Sequence, residues 1–365
     1  MESDRDTDAL DAALHPGSRS PRGFIMGRTA AGHKGLLDLT ALGQPIFVTL
    51  RFWQLDRDDV TRDGRADMPP IVDPHHHLQD LDMFCYPWLS PAIAPPAIFG
   101  DGFARLRRSY GIADYLAEFG GLDVVKSVHI QNGCLPEQAI AETRWLQAIA
   151  DRHGFPHGIV AHVALQHESA DEQLAEHCRS ANMRGIRQIL NAHPDPALGF
   201  IAERDLMANA AWRRGFAALA RRGLSFDLQI YPHQMAEALE VARAFPGTSI
   251  ILDHAGMPLR RDRDEIDRWR GAMTDLAAAD NVAVKISGLA LGQGGWSAET
   301  IRPIALATIE IFGIDRCMFA SNFPVDGLFS SYRALFDAFG AVTQELTAGE
   351  RAALFSKNAE RLYRI

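Results

Sequence analysis

Histidines at the ends of apolar runs are the first chemical signal in this chain. IVDPHHHLQD (71–80) places His75 and His77 two residues apart. In an extended strand that spacing sends both imidazoles to one face, while His76 points to the other. Two neutral imidazoles on one face can grip one divalent ion or polarise one substrate carbonyl, with Asp73 or Asp80 available to orient a ring from behind. Similar residues close later runs: His233 in DLQIYPHQ, His254 in ILDHAGMP before a turn made by Gly256 and Pro258, and Asn322 in MFASNFPVD with Asp326 just beyond it. Arg187 in RGIRQIL is a charge inside an apolar run and requires a carboxylate from protein or substrate. Lys285 alternates with Val284 and Ile286, so it is either an inward cation or a side chain reaching out to a helix. His129 and His162 also lie inside apolar runs and are read as hydrogen-bonded internal residues.

Side chains this far apart in sequence act together only if the elements that bear them end at one place. From Met68 onward, short strand-like runs alternate with longer amphipathic helical ones, the pattern of parallel βα units. The strand candidates span 70–75, 124–131, 157–165, 184–190, 224–231, 249–256, 281–288 and 316–323. Helical segments between them include PEQAIAETRWLQAIADRHG, stopping at Gly154, and MANAAWRRGFAALARRG, stopping at Gly223. Eight such units in roughly 300 residues predict a closed (β/α)8 TIM-type barrel, whose strand ends converge on one mouth. A doubly wound open sheet is the alternative, but no GxGxxG follows the first strand. The Pro-rich stretch 81–103 would lie over the mouth, with Tyr86 and Trp88 placed to cover a substrate. Residues 1–67 lack sustained periodicity and are expected to be a flexible extension, leaving 68–365 as the barrel.

Composition narrows the function classes. Hydrophobic residues at 47% and charged residues at 23% suit a large buried core and exclude a disordered or disulfide-built protein. A net charge of −9 opposes binding to nucleic acid or an anionic membrane surface. Cys85, Cys134, Cys178 and Cys317 form no CxxC pair, which argues against a zinc finger and fits a reducing cytoplasm. No apolar run is long enough to span a bilayer, and the acidic start MESDRDTDALDAAL is unlike a signal peptide. A small-molecule substrate is the expected partner; association into a homo-oligomer is left open.

Taken together, DPHHHL, YPWL, RGIRQIL, PHQ, ILDHAGMP, NVAVKISGL, MFASNFPV and the closing KNAERLYRI resemble the amidohydrolase superfamily. The resemblance runs from Met68 to Ile365 and lies in the branch of amidohydrolase-related lactonases that includes sugar-lactone hydrolases and 2-pyrone-4,6-dicarboxylate lactonase. It implies a (β/α)8 barrel with one divalent metal, zinc or manganese, in many members and none in some. Carried over by motif, His75, His77 and His233 would be metal ligands and His254 catalytic. The chain departs from the family at strand eight, where S-D-x-P becomes Ser321-Asn322-Phe323-Pro324. An amide carries no charge and has no accessible basic pKa, so the metal would be weakly held or absent and the base another group such as Asp326 or a histidine. The expected activity is hydrolysis of a small lactone or related carboxylic ester, with Arg187, Tyr86, Trp88 and Lys285 contacting substrate. The alternatives are a barrel that binds a small acid without turnover and a decarboxylase of an aromatic acid.

Overall fold

The computed structural model describes residues 68–365 except 95 and 294; the expected extension over residues 1–67 lies outside the described residues. Eight parallel strands pair in sequence order: β1 (Ile71–His76), β2 (Val124–Ile130), β3 (Gly158–Ala161), β4 (Met183–Ile189), β5 (Ser225–Gln229), β6 (Ile250–Leu252), β7 (Val282–Ile286) and β8 (Cys317–Phe319). The two edges meet through a parallel bridge between His76 and Phe323 and through hydrogen bonds from His77 N to Phe323 O and from Asn322 N to His75 O, both 2.7 Å. This closes the (β/α)8 barrel predicted from the strand count. Among the described residues no helix is long and apolar enough to cross a membrane.

Period-two alternation sorts the side chains. On β6, Ile250 and Leu252 pack outward with the helices, while Ile251 joins Val72, Val128, Val160, Ala283 and Met318 in the barrel interior. On β7, Val282, Val284 and Ile286 belong to the outer cluster and Ala283 to the inner one, so Lys285 must face inward. Tyr363, near the C-terminus, packs with the interior cluster. Helix Ala139–His153 ends on Gly154 at φ 75°, the left-handed position predicted for its stop. Its buried stripe is Ala139, Glu142, Thr143, Leu146 and Ala150, so the carboxylate of Glu142 is turned inward.

Several strands are shorter than predicted, β6 and β8 having three residues each. Their ladders stop because the chain turns off into left-handed backbone at the mouth: His254, Ala255 and Met257 have φ of 56°, 50° and 52°, and Asn322 has φ 54°. Such conformations are costly for residues other than glycine and concentrate at functional sites.

Candidate active site

A cavity of about 440 Å³ opens at the C-terminal strand ends, and His77, His162, Arg187, His254 and Asn322 lie in its lining. Trp88 from the Pro-rich first loop forms part of its wall. His254 is held in this lining by a side-chain partner. Its Nδ1 lies 2.9 Å from Ser287 Oγ, leaving Nε2 for water or substrate. Burial holds its pKa down to about 4, so the ring is neutral near pH 7. Gly288 makes room for it: at φ 63° a Cβ there would sit 2.8 Å from the His254 ring.

His75 and His77 leave the same strand end with ring centroids 4.9 Å apart, and His75 lies 4.7 Å from His254. His77 Nδ1 is 2.8 Å from the Ile130 carbonyl, which can only accept, so that nitrogen carries the proton. Its Nε2 faces Asn322 Oδ1 at 3.3 Å. Burial, then the nearby Arg187 charge, lowers the His77 pKa to about 3. His76 points away, stacked on Tyr115 at 3.9 Å and 3.0 Å from Ser127 Oγ. Asn322 Nδ2 donates to Asp326 Oδ1 at 2.9 Å, and Gly288 N donates to Asp326 Oδ2 at 3.1 Å. Asp326 therefore stands behind Asn322 instead of facing the cavity, and burial pushes its carboxyl up to about 7.

Beneath the histidines lies a charge network that the sequence reading did not identify. Lys285 Nζ contacts Asp227, lies 3.1 Å from Asp253 Oδ1 and 3.3 Å from His75 Nδ1. Arg187 Nη1 lies 3.4 Å from Asp253 Oδ2, 3.0 Å from Gln229 Oε1 and 3.5 Å from His75 Nε2, while Nη2 donates to the Gln131 carbonyl. Burial alone would raise the Asp253 carboxyl, but Lys285, His75 and Arg187 hold it well below the usual carboxylate range. Two acids and two bases thus neutralise one another inside the barrel. Asp227 and Lys285 lie on β5 and β7 and Asp253 directly precedes His254, so no local sequence pattern joins the three.

Three expected contacts are placed differently. Lys285, expected to touch substrate, is fully buried beneath His75 because the carboxylates of Asp227 and Asp253 hold it there. Tyr86 donates its hydroxyl to Glu142 Oε1 at 2.8 Å and packs in the loop cluster, whereas Trp88, whose Nε1 donates to Asn132 O at 2.7 Å, does line the cavity. His233, expected beside His75 and His77 as a metal ligand, sits in the helical turn Pro232–Gln234, where its Nε2 is 3.0 Å from Ala192 O and its ring neighbours His193 and Tyr231. His162, read as internal, instead lines the mouth.

His75, Asp253 and His254 present ligand atoms within 4.8 Å of one another, close enough for one metal. The chemistry around them does not suit a dication. Asp253 is already shared by Lys285 and Arg187, Arg187 stands 3.5 Å from His75 Nε2, and the remaining donors facing the cavity are neutral imidazoles and an amide. Substituting Asn322→Asp would set a second carboxylate beside Asp326 and His77. Metal content measured by elemental analysis after purification in zinc should then rise from well below one equivalent toward one; a full equivalent in the native protein would contradict this reading.

The comparisons agree with this architecture. The sequence profile of the amidohydrolase family matches residues 72–365. An uncharacterized protein, y4mH, from Sinorhizobium fredii is 48% identical over 295 residues, covering 81% of this chain and 98% of that protein. An L-fucono-1,5-lactonase from Burkholderia ambifaria is 31% identical over 265 residues, covering 71% and 86%. The crystal structure of an amidohydrolase from Burkholderia multivorans with bound zinc superposes with a TM-score of 0.69 at 25% identity, over 81% of this chain and 99% of that one. With the barrel, the histidines at its mouth and the profile match over residues 72–365, the chain belongs to the amidohydrolase family.

Proposed function

We propose that this protein hydrolyses a lactone or closely related carboxylic ester by attack of water at the barrel mouth, without a metal step. The observation that carries this reading is a neutral His254, with Nδ1 on Ser287, lining the same cavity as the Arg187 guanidinium. Similarity to an L-fucono-1,5-lactonase supports the lactone bond as the one broken.

Asn322 Oδ1, beside His77 Nε2, accepts one hydrogen of the attacking water and leaves the other for His254. His254 Nε2 takes one proton as the water oxygen bonds to the carbonyl carbon. Negative charge gathering on the carbonyl oxygen is met by the Arg187 guanidinium, which lines the same cavity. The tetrahedral intermediate collapses, the ring C–O bond breaks, and the imidazolium returns its proton to the departing alkoxide. Asp326 positions Asn322, and Asp253 keeps Arg187 and His75 in place. An ester suits this machinery because an alkoxide leaves with less help than an amine.

The test is proton release from a lactone panel before and after exhaustive chelation. Turnover should stay within about twofold after chelation; loss of nearly all activity, restored by added zinc, would overturn metal-independent attack.

A further inference from the structure

The cavity is made of two unlike parts. Its floor carries the histidines, Arg187 and several amides, while its upper wall is built from Trp88, Ile98, Phe99, Phe200, Met257 and Val325. That wall offers hydroxyl groups nothing: the one polar side-chain atom of Trp88 is already donating to Asn132 O. Of the floor amides, Gln188 is engaged with Trp212 Nε1 and Gln166, Asn132 with Gln79, and Gln229 Oε1 with Arg187. Each hydroxyl of a sugar ring pressed against such a surface loses water without gaining a partner.

Charge points the same way. Arg187 is the one Lys or Arg among the described lining residues, and Asp253 already faces it. A dicarboxylate would bring two negative charges to a cavity with no unbalanced cation. The wall is also preformed. Ile98, Phe99, Met257 and Val325 belong to a second hydrophobic cluster over the mouth, in which Trp88 and Phe99 pack at 5.9 Å and Phe99 and Phe103 at 5.3 Å. At about 440 Å³ the space falls in the range of pockets that enclose drug-sized ligands, well beyond one small ring.

We infer that the substrate is a neutral lactone bearing an apolar alkyl or aryl substituent, the ring lying on the histidine floor and the substituent against the Trp88–Phe99–Phe200 wall; this rests on the hydrolase reading above. The class differs from the sugar lactone in the name of the 31%-identical relative.

The experiment measures kcat/KM for δ-lactones with 5-alkyl chains from hydrogen to hexyl, beside aldonolactones and a pyrone dicarboxylate, with binding followed in parallel by thermal shift. The apolar class predicts a rise of about fourfold per methylene until the cavity fills, with aldonolactones and the dicarboxylate at least a hundredfold poorer than the best alkyl lactone. In Phe200→Asn, at a half-buried wall position, the gradient with chain length should flatten. A flat or falling alkyl series with a sugar lactone as best substrate overturns the apolar class and leaves the hydrolase reading standing. Chain-length-dependent binding without turnover of any lactone overturns the hydrolase reading and upholds the apolar class. Neither binding nor turnover of the alkyl series overturns both.

Discussion

Lactone hydrolysis by His254→Gln should fall by about 10²–10⁴-fold in kcat, the usual contribution of a general base. The loss should come without unfolding, because glutamine keeps a polar group near Ser287 Oγ, the partner of His254 Nδ1 at 2.9 Å. The pH profile gives the same role an independent signature. A base must be deprotonated to act, and burial holds His254 at about 4. The acid limb of kcat/KM should therefore rise through about pH 4 and flatten above it. Asp326, the other base named from the sequence, is pushed up to about 7 by burial, so a limb near neutrality would assign the step to Asp326. Activity in His254→Gln within tenfold of native, with a limb near 7, would remove His254 from the role given to it here.

How much of this was readable without coordinates depends on which physical signal each residue left. The barrel was legible because eight short apolar runs alternate with helical ones, and the strand-end histidines because an apolar run leading into a polar cluster marks a buried strand arriving at a mouth. His233 was misjudged because sequence fixes only that it follows β5, whereas the Pro232–Gln234 turn directs its ring toward His193. Lys285 illustrates the opposite case. Its alternation with Val284 and Ile286 left inward and outward readings equal, and the choice was made by carboxylates on two other strands, Asp227 and the residue after β6, Asp253. Pairings between strands far apart in sequence leave no local pattern to read. The burial of Glu142 on the Ala139–His153 helix has a similar origin, since the Tyr86 hydroxyl from the first loop supplies the donor that lets that carboxylate be buried.

The same buried charges determine the largest expected effect on stability. Lys285 and Asp227 have no exposed side-chain surface, and Asp253 is equally enclosed. Folding has already taken these ions out of water, and their mutual attraction offsets that cost only while both signs are present. Lys285→Met removes one cation and leaves two carboxylates sharing Arg187 alone, so the fold should lose about 3–5 kcal/mol in urea denaturation. Asp227 loses more than Asp253, for its remaining donor is the Tyr363 hydroxyl at 2.6 Å, whereas Asp253 keeps Arg187 at 3.4 Å. Adding Asp227→Asn to Lys285→Met should therefore recover part of the loss, since the uncompensated charge goes with the carboxylate; a double-mutant cycle measures that coupling directly. Strictly additive losses would mean that the two groups do not stabilise each other. With coupling present, the barrel balances its own charges beneath the histidines, which leaves Arg187 in the cavity lining free for the oxyanion role proposed for it.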